Sequence, residues 1–268
     1  MSDAPELERL RLALSAAEGA LAEAQGELQA FMHTVSHDLR APLRHITSYA
    51  RLLKEDLGSA LQGEVQTSLT AIAHAAEHQG RLIDGLMALA RVRQAPLHLA
   101  PVDMQTVFDD VRAALMSDAS CKGRDICWQQ AHPLPTVVGD LALLRLVLHH
   151  VLANAVKFTR GKEPAVIDIG IVDPVDDVVA GVPSGSLRGA AATHIFIRDN
   201  GAGYNPAYQG KLFQVFSRLH SATAFEGVGV GLAQCQAAMN RLGGRLTLTG
   251  SVGLGCTAVL TLPVAAGV

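Results

Sequence analysis

Aromatic residues make up only 4% of this 268-residue chain, which argues against a nucleic-acid surface built from stacked aromatic rings. The net charge of −3 lacks the basic excess of a dedicated nucleic-acid binder. The four cysteines form no Cys-x-x-Cys pair, which argues against a zinc site or a disulfide framework and favours a reducing compartment. Neither a signal peptide nor an apolar run of about 18 residues appears, so we expect a cytoplasmic protein with no membrane segment and no nucleic-acid partner.

Apolar residues, in contrast, are plentiful at 49%, and near the N-terminus they follow a heptad pattern. Their spacing alternates between three and four residues over more than three heptads, which predicts a coiled coil and therefore a homodimer. A single amphipathic helix packed on its own domain is the alternative. The heptad positions are Leu7, Leu10, Leu14, Ala17, Leu21, Ala24, Leu28 and Phe31.

Two long helical patterns follow each other in the first third of the chain. The first continues to about residue 57, glycines in 58–63 mark a turn, and the second pattern covers 64–93. Two antiparallel helices of this kind bury one face each and leave a seam for a partner, so two copies form a four-helix bundle. Residues 94–96 contain a proline and mark a domain boundary.

After this boundary the pattern changes to shorter helices mixed with strands. The absence of strict strand–helix alternation predicts an α+β sandwich, with helices on one face of a mixed sheet. Residues 172–190 are rich in Gly, Pro, Asp and Ser, which predicts a surface loop. The predicted helices are 102–116, 141–158 behind an Asp140 N-cap, and 229–242, and the predicted strands are 125–129, 165–171, 191–198, 245–249 and 256–262, the last two forming a hairpin.

A histidine beside a carboxylate stands out in the first long helix. His37 precedes Asp38, and Pro42 follows five residues after the histidine, where it can kink the helix. A neutral imidazole is a nucleophile, and an adjacent carboxylate fixes its tautomer and stabilises positive charge on the ring. The segment therefore predicts a reactive histidine.

Two motifs in the second half suit a nucleotide. Asn154 and Lys157 lie three residues apart on one helix face, where an amide oxygen can help hold Mg²⁺ and a lysine can meet phosphate oxygens. Asp199 follows a strand and can accept a hydrogen bond from a base amine, while Gly201 and Gly203 permit close backbone approach.

Two further motifs come later in the chain. Residues 212–218 contain two phenylalanines and an arginine, and a glycine-rich turn then leads into a helix, where backbone amides form a natural phosphate site. Each motif alone is weak, because a lone Gly-x-Gly-x-Gly is usually just a turn. Their joint occurrence behind the His37 segment carries the weight. The three glycines of the turn are Gly227, Gly229 and Gly231.

Together these segments resemble the catalytic core of a sensor histidine kinase of two-component signalling. Residues 31–93 resemble the dimerisation and histidine-phosphotransfer domain, and 100–263 resemble the ATP-binding domain of the GHKL superfamily. The sequences of residues 36–40 and 216–220 are most similar to those of the phytochrome-associated branch. The resemblance implies a division into a coiled-coil signalling helix (1–30), a dimerisation and phosphotransfer domain (31–95) and an ATP-binding catalytic domain (100–265).

The resemblance also implies ATP and Mg²⁺ as cofactors and a role for each matching residue. His37 would be the phosphoacceptor, with Asp38 as its base or orienter and Arg218 near the transferring phosphate. Asn154 would coordinate Mg²⁺ and Lys157 would contact phosphate. The adenine pocket would comprise Asp199, Gly201, Gly203, Gly253, Gly255 and Thr257, and the lid with its phosphate-binding hinge would comprise Phe213, Phe216, Gly227, Gly229 and Gly231.

A kinase of this kind would phosphorylate His37 and pass the phosphoryl group to an aspartate in the receiver domain of a response regulator. An upstream sensor domain would act through the coiled coil. The alternative is a catalytically weak scaffold dimer that regulates partners by conformation. A GHKL ATPase of the chaperone or DNA-repair kind ranks last, because it has no use for His37.

Two positions depart from the family pattern. His150 stands where a second metal-binding Asn is usual, and imidazole is a poor ligand for Mg²⁺. Either Asn154 and water fill the metal shell, or kinase activity is weakened. Ala41 stands where kinases that also dephosphorylate their partner carry Thr or Asn, and alanine cannot orient a water. We therefore expect weak phosphatase activity.

Overall fold

The structure is a computed structural model that describes residues 4–58, 63–118, 121, 123–172, 192–221 and 223–264. The chain divides into two compact units, Met1–Ala90 and Arg91–Val268. The predicted surface loop at 172–190 lies outside the described residues, apart from its first residue.

The first unit is a helical hairpin. Helix α1 is Ala4–Leu57 and helix α2 is Glu64–Gln94, within one residue of the predicted limits. Pro42 lies inside α1, which continues on both sides of it. Arg40 joins the two helices, since its Nε and Nη2 donate to Asp84 Oδ1 at 3.1 and 2.8 Å.

Four of the predicted heptad positions of α1, namely Leu10, Leu14, Leu28 and Phe31, are exposed to solvent in the single chain. The exposed fractions are 65% for Leu10, 60% for Leu14, 57% for Leu28 and 66% for Phe31. A row of apolar side chains of this kind is the surface that a coiled-coil partner covers.

The second unit combines a mixed sheet with helices. The elements are β1 Ala100–Asp103, α3 Met104–Met116, β2 Ile126–Gln130, β3 Thr136–Gly139, α4 Leu141–Phe158, β4 Ala165–Ile171, β5 Ala192–Asp199, a 3₁₀ helix Pro206–Lys211, α5 Gly231–Arg241, β6 Arg245–Ser251 and β7 Gly255–Pro263. In the sheet the strand order is β2, β4, β5, β7 and β6, with β2 and β4 parallel and the other neighbouring pairs antiparallel. Strands β1 and β3 form a separate antiparallel pair.

Helix α4 is the central core element of this unit. Asp140 caps it as predicted, with Oδ1 accepting the backbone N–H groups of Ala142 and Leu143 at 2.9 and 3.1 Å. By length and composition α4 also meets the requirements of a membrane span. Most of its apolar side chains, however, pack in the hydrophobic core, and Val147 and Leu148 are fully buried. Core packing accounts for the composition of the helix.

Three elements were not predicted, and several boundaries move by one or two residues. The helix predicted from 102 begins at Met104, because 100–103 form strand β1. Strands β1 and β3 have four residues each, too few for an alternating pattern to be recognised, and the 3₁₀ helix has six. The helix predicted from Gly229 begins instead at Gly231. Gly229 has a φ of +75°, which a right-handed helix cannot include.

Candidate active site

Asp199 closes β5 and lies at the centre of the predicted adenine pocket. It is only 8% exposed, and its Oδ1 accepts the backbone N–H groups of Gly201 and Cys256 at 2.8 and 3.3 Å. Burial raises the pKa of Asp199 to about 6, although both hydrogen bonds oppose the shift. Both bonds end on Oδ1, so they leave the second carboxylate oxygen for another donor.

Three glycines allow the backbone to close around Asp199. A Cβ at Gly203, where φ is +59°, would lie 1.8 Å from the carbonyl oxygen of Ser251. A Cβ at Gly255, where φ is +91°, would lie 1.8 Å from the carbonyl oxygen of Asp199. At Gly201 the nearest backbone oxygen would be 2.5 Å away. Any larger residue at these positions would push apart the backbone segments around Asp199, which at Gly201 include the end of α4, so the glycines shape the pocket.

The far side of the pocket is the β6–β7 hairpin. Gly253 lies in its turn and donates its N–H to the carbonyl oxygen of Ala202 at 2.7 Å. Thr257 lies on β7 opposite Arg198 of β5, one pair away from the Asp199–Cys256 pair. Gly253 and Thr257 therefore both lie close to the Asp199 segment, and their part in an adenine pocket stays a prediction.

The C-terminal half of α4 carries the predicted phosphate and metal ligands. Asn154 and Lys157 are both partly buried and lie one helical turn apart. Lys157 Nζ is 4.4 Å from the ring centroid of Phe158, and a Cβ at Gly227 would lie 3.6 Å from the same Nζ. The helix face with Asn154 and Lys157 thus adjoins the glycine-rich turn.

Electrostatics at this end of α4 favour an anion. Burial lowers the pKa of Lys157, and the positive charges of Arg218 and Arg160 lower it further, while Glu226 opposes the shift. Arg160 also pairs with Glu226 at 2.7 Å. Three cations near one carboxylate leave a positive excess that phosphate would neutralise.

An aromatic cluster links the end of α4 to the segment that precedes the glycine-rich turn. The rings of Phe158, His220 and Phe225 lie 5.0 to 5.2 Å apart between centroids. Arg218 Nη2 donates to the carbonyl oxygen of Phe225. Phe225 was not among the predicted site residues, because it belongs to none of the four motifs.

The two phenylalanines of the predicted lid differ in their surroundings. Phe213 packs against the hydrophobic core, whereas Phe216 is 44% exposed. Phe216 has a φ of 63° and donates its N–H to the carbonyl oxygen of Gly229 at 2.9 Å. A Cβ at Gly229 would lie 2.5 Å from the carbonyl oxygen of Ser217. The side chain of Phe213 thus fixes this segment to the core, whereas Phe216 is held by the hydrogen bond of its backbone N–H to Gly229.

His150, at the position of the usual second Asn, contacts α5. Its Nε2 lies 2.7 Å from Oε1 of Gln234, and burial lowers the pKa of the imidazole, which favours the neutral ring. Gln234 was missed by sequence reasoning. A glutamine on a helix face that is otherwise buried was the available signal for a buried polar contact. Its partner lies 84 positions away in the chain, so the sequence did not indicate the pair.

His37 lies in the first unit, on α1. Its Nδ1 is 3.2 Å from Asp38 Oδ1, and the two side chains are 72% and 71% exposed. Ser36 beside them is buried, at 5% exposed. The imidazole is therefore open to a phosphoryl donor. The structure brings the four nucleotide motifs together in the second unit and pairs His37 with Asp38 in the first.

Comparison with known families decides the relationship. The His Kinase A (phospho-acceptor) domain family matches residues 27–95, and the family of histidine kinase-, DNA gyrase B- and HSP90-like ATPases matches residues 139–266. The chain belongs to the histidine kinases. The first match includes His37 and the second includes all four nucleotide motifs.

Individual histidine kinases and related proteins agree with this assignment. Cyanobacterial phytochrome A of Nostoc sp. is 28% identical over 244 residues, 91% of this chain and 29% of its own length. The methanogenesis regulatory histidine kinase FilI of Methanothrix harundinacea is 30% identical over 264 residues, 95% of this chain and 27% of its own length. The similarity to a phytochrome confirms the branch that the residues 36–40 and 216–220 resemble.

Among solved structures, full-length ShkA in complex with AMPPNP superposes with a TM-score of 0.56 at 28% identity. The match covers 88% of this histidine kinase chain and 46% of ShkA. The chain therefore spans less than a third of the two sequence relatives and about half of ShkA. None of these similarities favours the scaffold alternative over a kinase.

Proposed function

We propose that this chain is the ATP-dependent core of a histidine kinase, which phosphorylates its own His37 and passes the phosphoryl group to an aspartate of a response regulator. The observation that carries the proposal is the presence on one chain of an exposed His37–Asp38 pair and a glycine-shaped pocket at Asp199. A phosphoacceptor and a nucleotide pocket are the two parts that such a reaction needs.

The nucleotide would bind along the second unit with its adenine at Asp199. The Asp199 carboxylate accepts a hydrogen bond from the exocyclic amine of the base, and Gly201 and Gly203 let the backbone close tightly around that carboxylate. Lys157 and the backbone amides of the glycine-rich turn receive the phosphates. The AMPPNP bound to ShkA supports this choice of ligand.

The residues present also fit Mg²⁺, with Asn154 as the protein ligand. Mg²⁺ requires oxygen donors but normally keeps several waters and binds substrate phosphates, so a single amide oxygen suffices. When bound, the ion would neutralise charge on the phosphate oxygens. His150 offers nitrogen only, and its Nε2 is already engaged by Gln234.

The geometry at His37 assigns roles to the two ring nitrogens. Nδ1 faces the Asp38 carboxylate, which favours the tautomer with hydrogen on Nδ1 and the lone pair on Nε2. Nε2 attacks the γ-phosphorus in line with the leaving group, the N–P bond forms, and the bond from phosphorus to the β,γ-bridging oxygen breaks to release ADP. The ring then carries positive charge, and Asp38 stabilises it or accepts its Nδ1 proton.

The same proposal assigns the organisation of the chain. Residues 1–30 form the signalling coiled coil, 31–95 the dimerisation and phosphotransfer domain, and 100–265 the catalytic domain. The exposed heptad side chains of α1 support a homodimer. A sensor domain acts on the coiled coil, the receiver domain docks on the helix surface around His37, and the reaction takes place in the cytoplasm, where ATP is available.

Incubation of the purified chain with ATP labelled at the γ-phosphate tests the enzyme directly. We expect an acid-labile label on the wild-type protein, no label on His37→Ala, and a normal label on His45→Ala. His45 is a matched control, because it is another exposed histidine of α1. An unlabelled wild-type protein, or equal labelling of all three, would contradict the proposal.

A further inference from the structure

Two polar side chains from facing helices meet in the second unit. His150 comes from α4 and Gln234, which is 5% exposed, comes from α5. The 2.7 Å contact runs from His150 Nε2 to the amide oxygen of Gln234, which can only accept, so Nε2 is the donor. The bond thereby gives a partner to the N–H of His150 Nε2 and to the amide oxygen of Gln234.

The other edge of the same imidazole rests on the first residue of α5. A Cβ at Gly231 would lie 3.0 Å from His150 Nδ1 and 3.4 Å from Cε1 and Cγ. Gly231 and Gln234 lie three residues apart and so share one face of α5. One ring therefore contacts this helix at two points in its first turn.

We propose that His150 is a positioning residue rather than a metal ligand: through Gln234 and Gly231 it fixes the first turn of α5, which leads out of the glycine-rich turn. An effect of His150 on nucleotide binding rests on the ATP-binding function proposed above. The contact between the two helices does not depend on that function. His150 thus replaces an Mg²⁺ ligand by an interhelical hydrogen bond, and Asn154 remains the protein ligand of the ion.

Amide hydrogen exchange tests the contact without any nucleotide. His150→Leu and Gln234→Leu each remove the hydrogen bond between the helices, and we expect the amides of residues 231–236 to exchange at least about fivefold faster. The double variant should exchange more slowly than either single one, because both polar groups are then replaced by apolar ones. His149→Leu is the control, since His149 is the exposed neighbour on the same helix. Unchanged exchange in His150→Leu would overturn the proposal.

Nucleotide affinity separates positioning from metal binding. A fluorescent ATP analogue is titrated into wild type and variants, once with EDTA and once with Mg²⁺. We expect His150→Leu and Gln234→Leu to weaken binding by the same factor with EDTA and with Mg²⁺, about 5- to 50-fold for the loss of this hydrogen bond between the helices. In the labelling assay the KM for ATP should rise by a similar factor with kcat little changed.

The opposite result is equally clear. If His150→Leu weakens binding only when Mg²⁺ is present, while Gln234→Leu has no effect, His150 is a metal ligand and the proposal is wrong. If the wild-type protein binds no nucleotide at all, the proposed kinase function fails, but the exchange experiment still decides whether His150 and Gln234 fix the start of α5.

Discussion

Asp199 Oδ1 accepts the backbone N–H of Gly201 at 2.8 Å, at a position where a Cβ would lie 2.7 Å from that same oxygen. The glycine is therefore what allows the carboxylate to be both buried and held by the backbone. The pocket combines a buried acceptor with a close backbone wall.

Replacing Asp199 by Asn tests the acceptor. The amide oxygen can still accept the N–H of Gly201, but the amide nitrogen cannot accept a hydrogen bond from adenine. We expect ATP affinity to fall about 10- to 100-fold, as for a lost hydrogen bond to a charged group. Isothermal titration calorimetry measures the loss, and unchanged affinity would rule out Asp199 as the adenine acceptor.

The raised pKa of Asp199 predicts a pH dependence of stability. Its pKa is about 6 in the folded protein against an ordinary value of 3.8, so the folded state binds this proton more tightly. The contribution of Asp199 to the free energy of unfolding therefore falls as pH rises from 3.8 to about 6, and it is lowest above about pH 6. At about pH 7.5 we expect Asp199→Asn to be more stable than wild type, by up to about 3 kcal/mol, with the difference shrinking towards pH 4. Urea unfolding at several pH values measures it, and a pH-independent difference would contradict the assignment.

Gly203 and Gly253 form a matched pair for testing the backbone wall. Both have positive φ, at 59° and 77°, but a Cβ at Gly203 would meet a carbonyl oxygen at 1.8 Å and a Cβ at Gly253 would meet nothing within 4 Å. We expect Gly253→Ala to cost about 1–2 kcal/mol from conformational strain alone. Gly203→Ala should cost at least about 3 kcal/mol, since backbone must move as well. Equal losses in urea unfolding would mean that the close approach is unimportant.

Arg241 contacts the C-terminal end of α2, whose residues from Arg91 onward belong to the second unit, and this contact predicts a stability effect. Its Nη1 donates to the carbonyl oxygen of Val92 at 2.8 Å, and its Nη2 donates to that of Ala95. Carbonyls at a helix C-terminus have no partner within the helix. We expect Arg241→Ala to lower the free energy of unfolding by about 1–3 kcal/mol. Arg245→Ala, at an exposed position nearby, is the control and should be nearly neutral.

The heptad side chains of α1 predict where dimerisation can be broken. Leu14 lies on the heptad seam and is 60% exposed in the single chain, while Leu12 lies off the seam and is 68% exposed. A charge at a buried coiled-coil position is costly, so Leu14→Asp should weaken the dimer at least about tenfold. Leu12→Asp should leave it unchanged. Sedimentation equilibrium distinguishes them, and equal effects would place the interface elsewhere.

Ala41 predicts a slow reverse reaction. It is partly buried one turn after His37 and offers no side-chain hydrogen bond to a water. We expect the protein to leave a phosphorylated response regulator largely intact, and Ala41→Thr to accelerate its dephosphorylation. Loss of labelled phosphate from the regulator over time measures both rates. Rapid removal by the wild-type protein would contradict the prediction.

Much of the fold was predictable because local signals agree with it. The helical period and the Asp140 cap predicted α4 at its observed limits, and the strand pattern predicted β4 at its own. Strands β1 and β3 were not predictable, because each is four residues long and they stabilise each other by antiparallel pairing between distant segments. The order and spacing of the glycine motifs likewise predicted a nucleotide pocket, but not that a Cβ at Gly203 would meet Ser251.

The sequence alone determined the helical hairpin, the order of the motifs and the pairing of His37 with Asp38, since each depends on residues that are neighbours in the chain or on one helix face. Only the tertiary structure decided the strand order, the backbone walls around Asp199 and the bond of His150 to Gln234. These depend on contacts between segments far apart in the chain. Local periodicity and propensity carry no information about which distant partner a buried polar group will find.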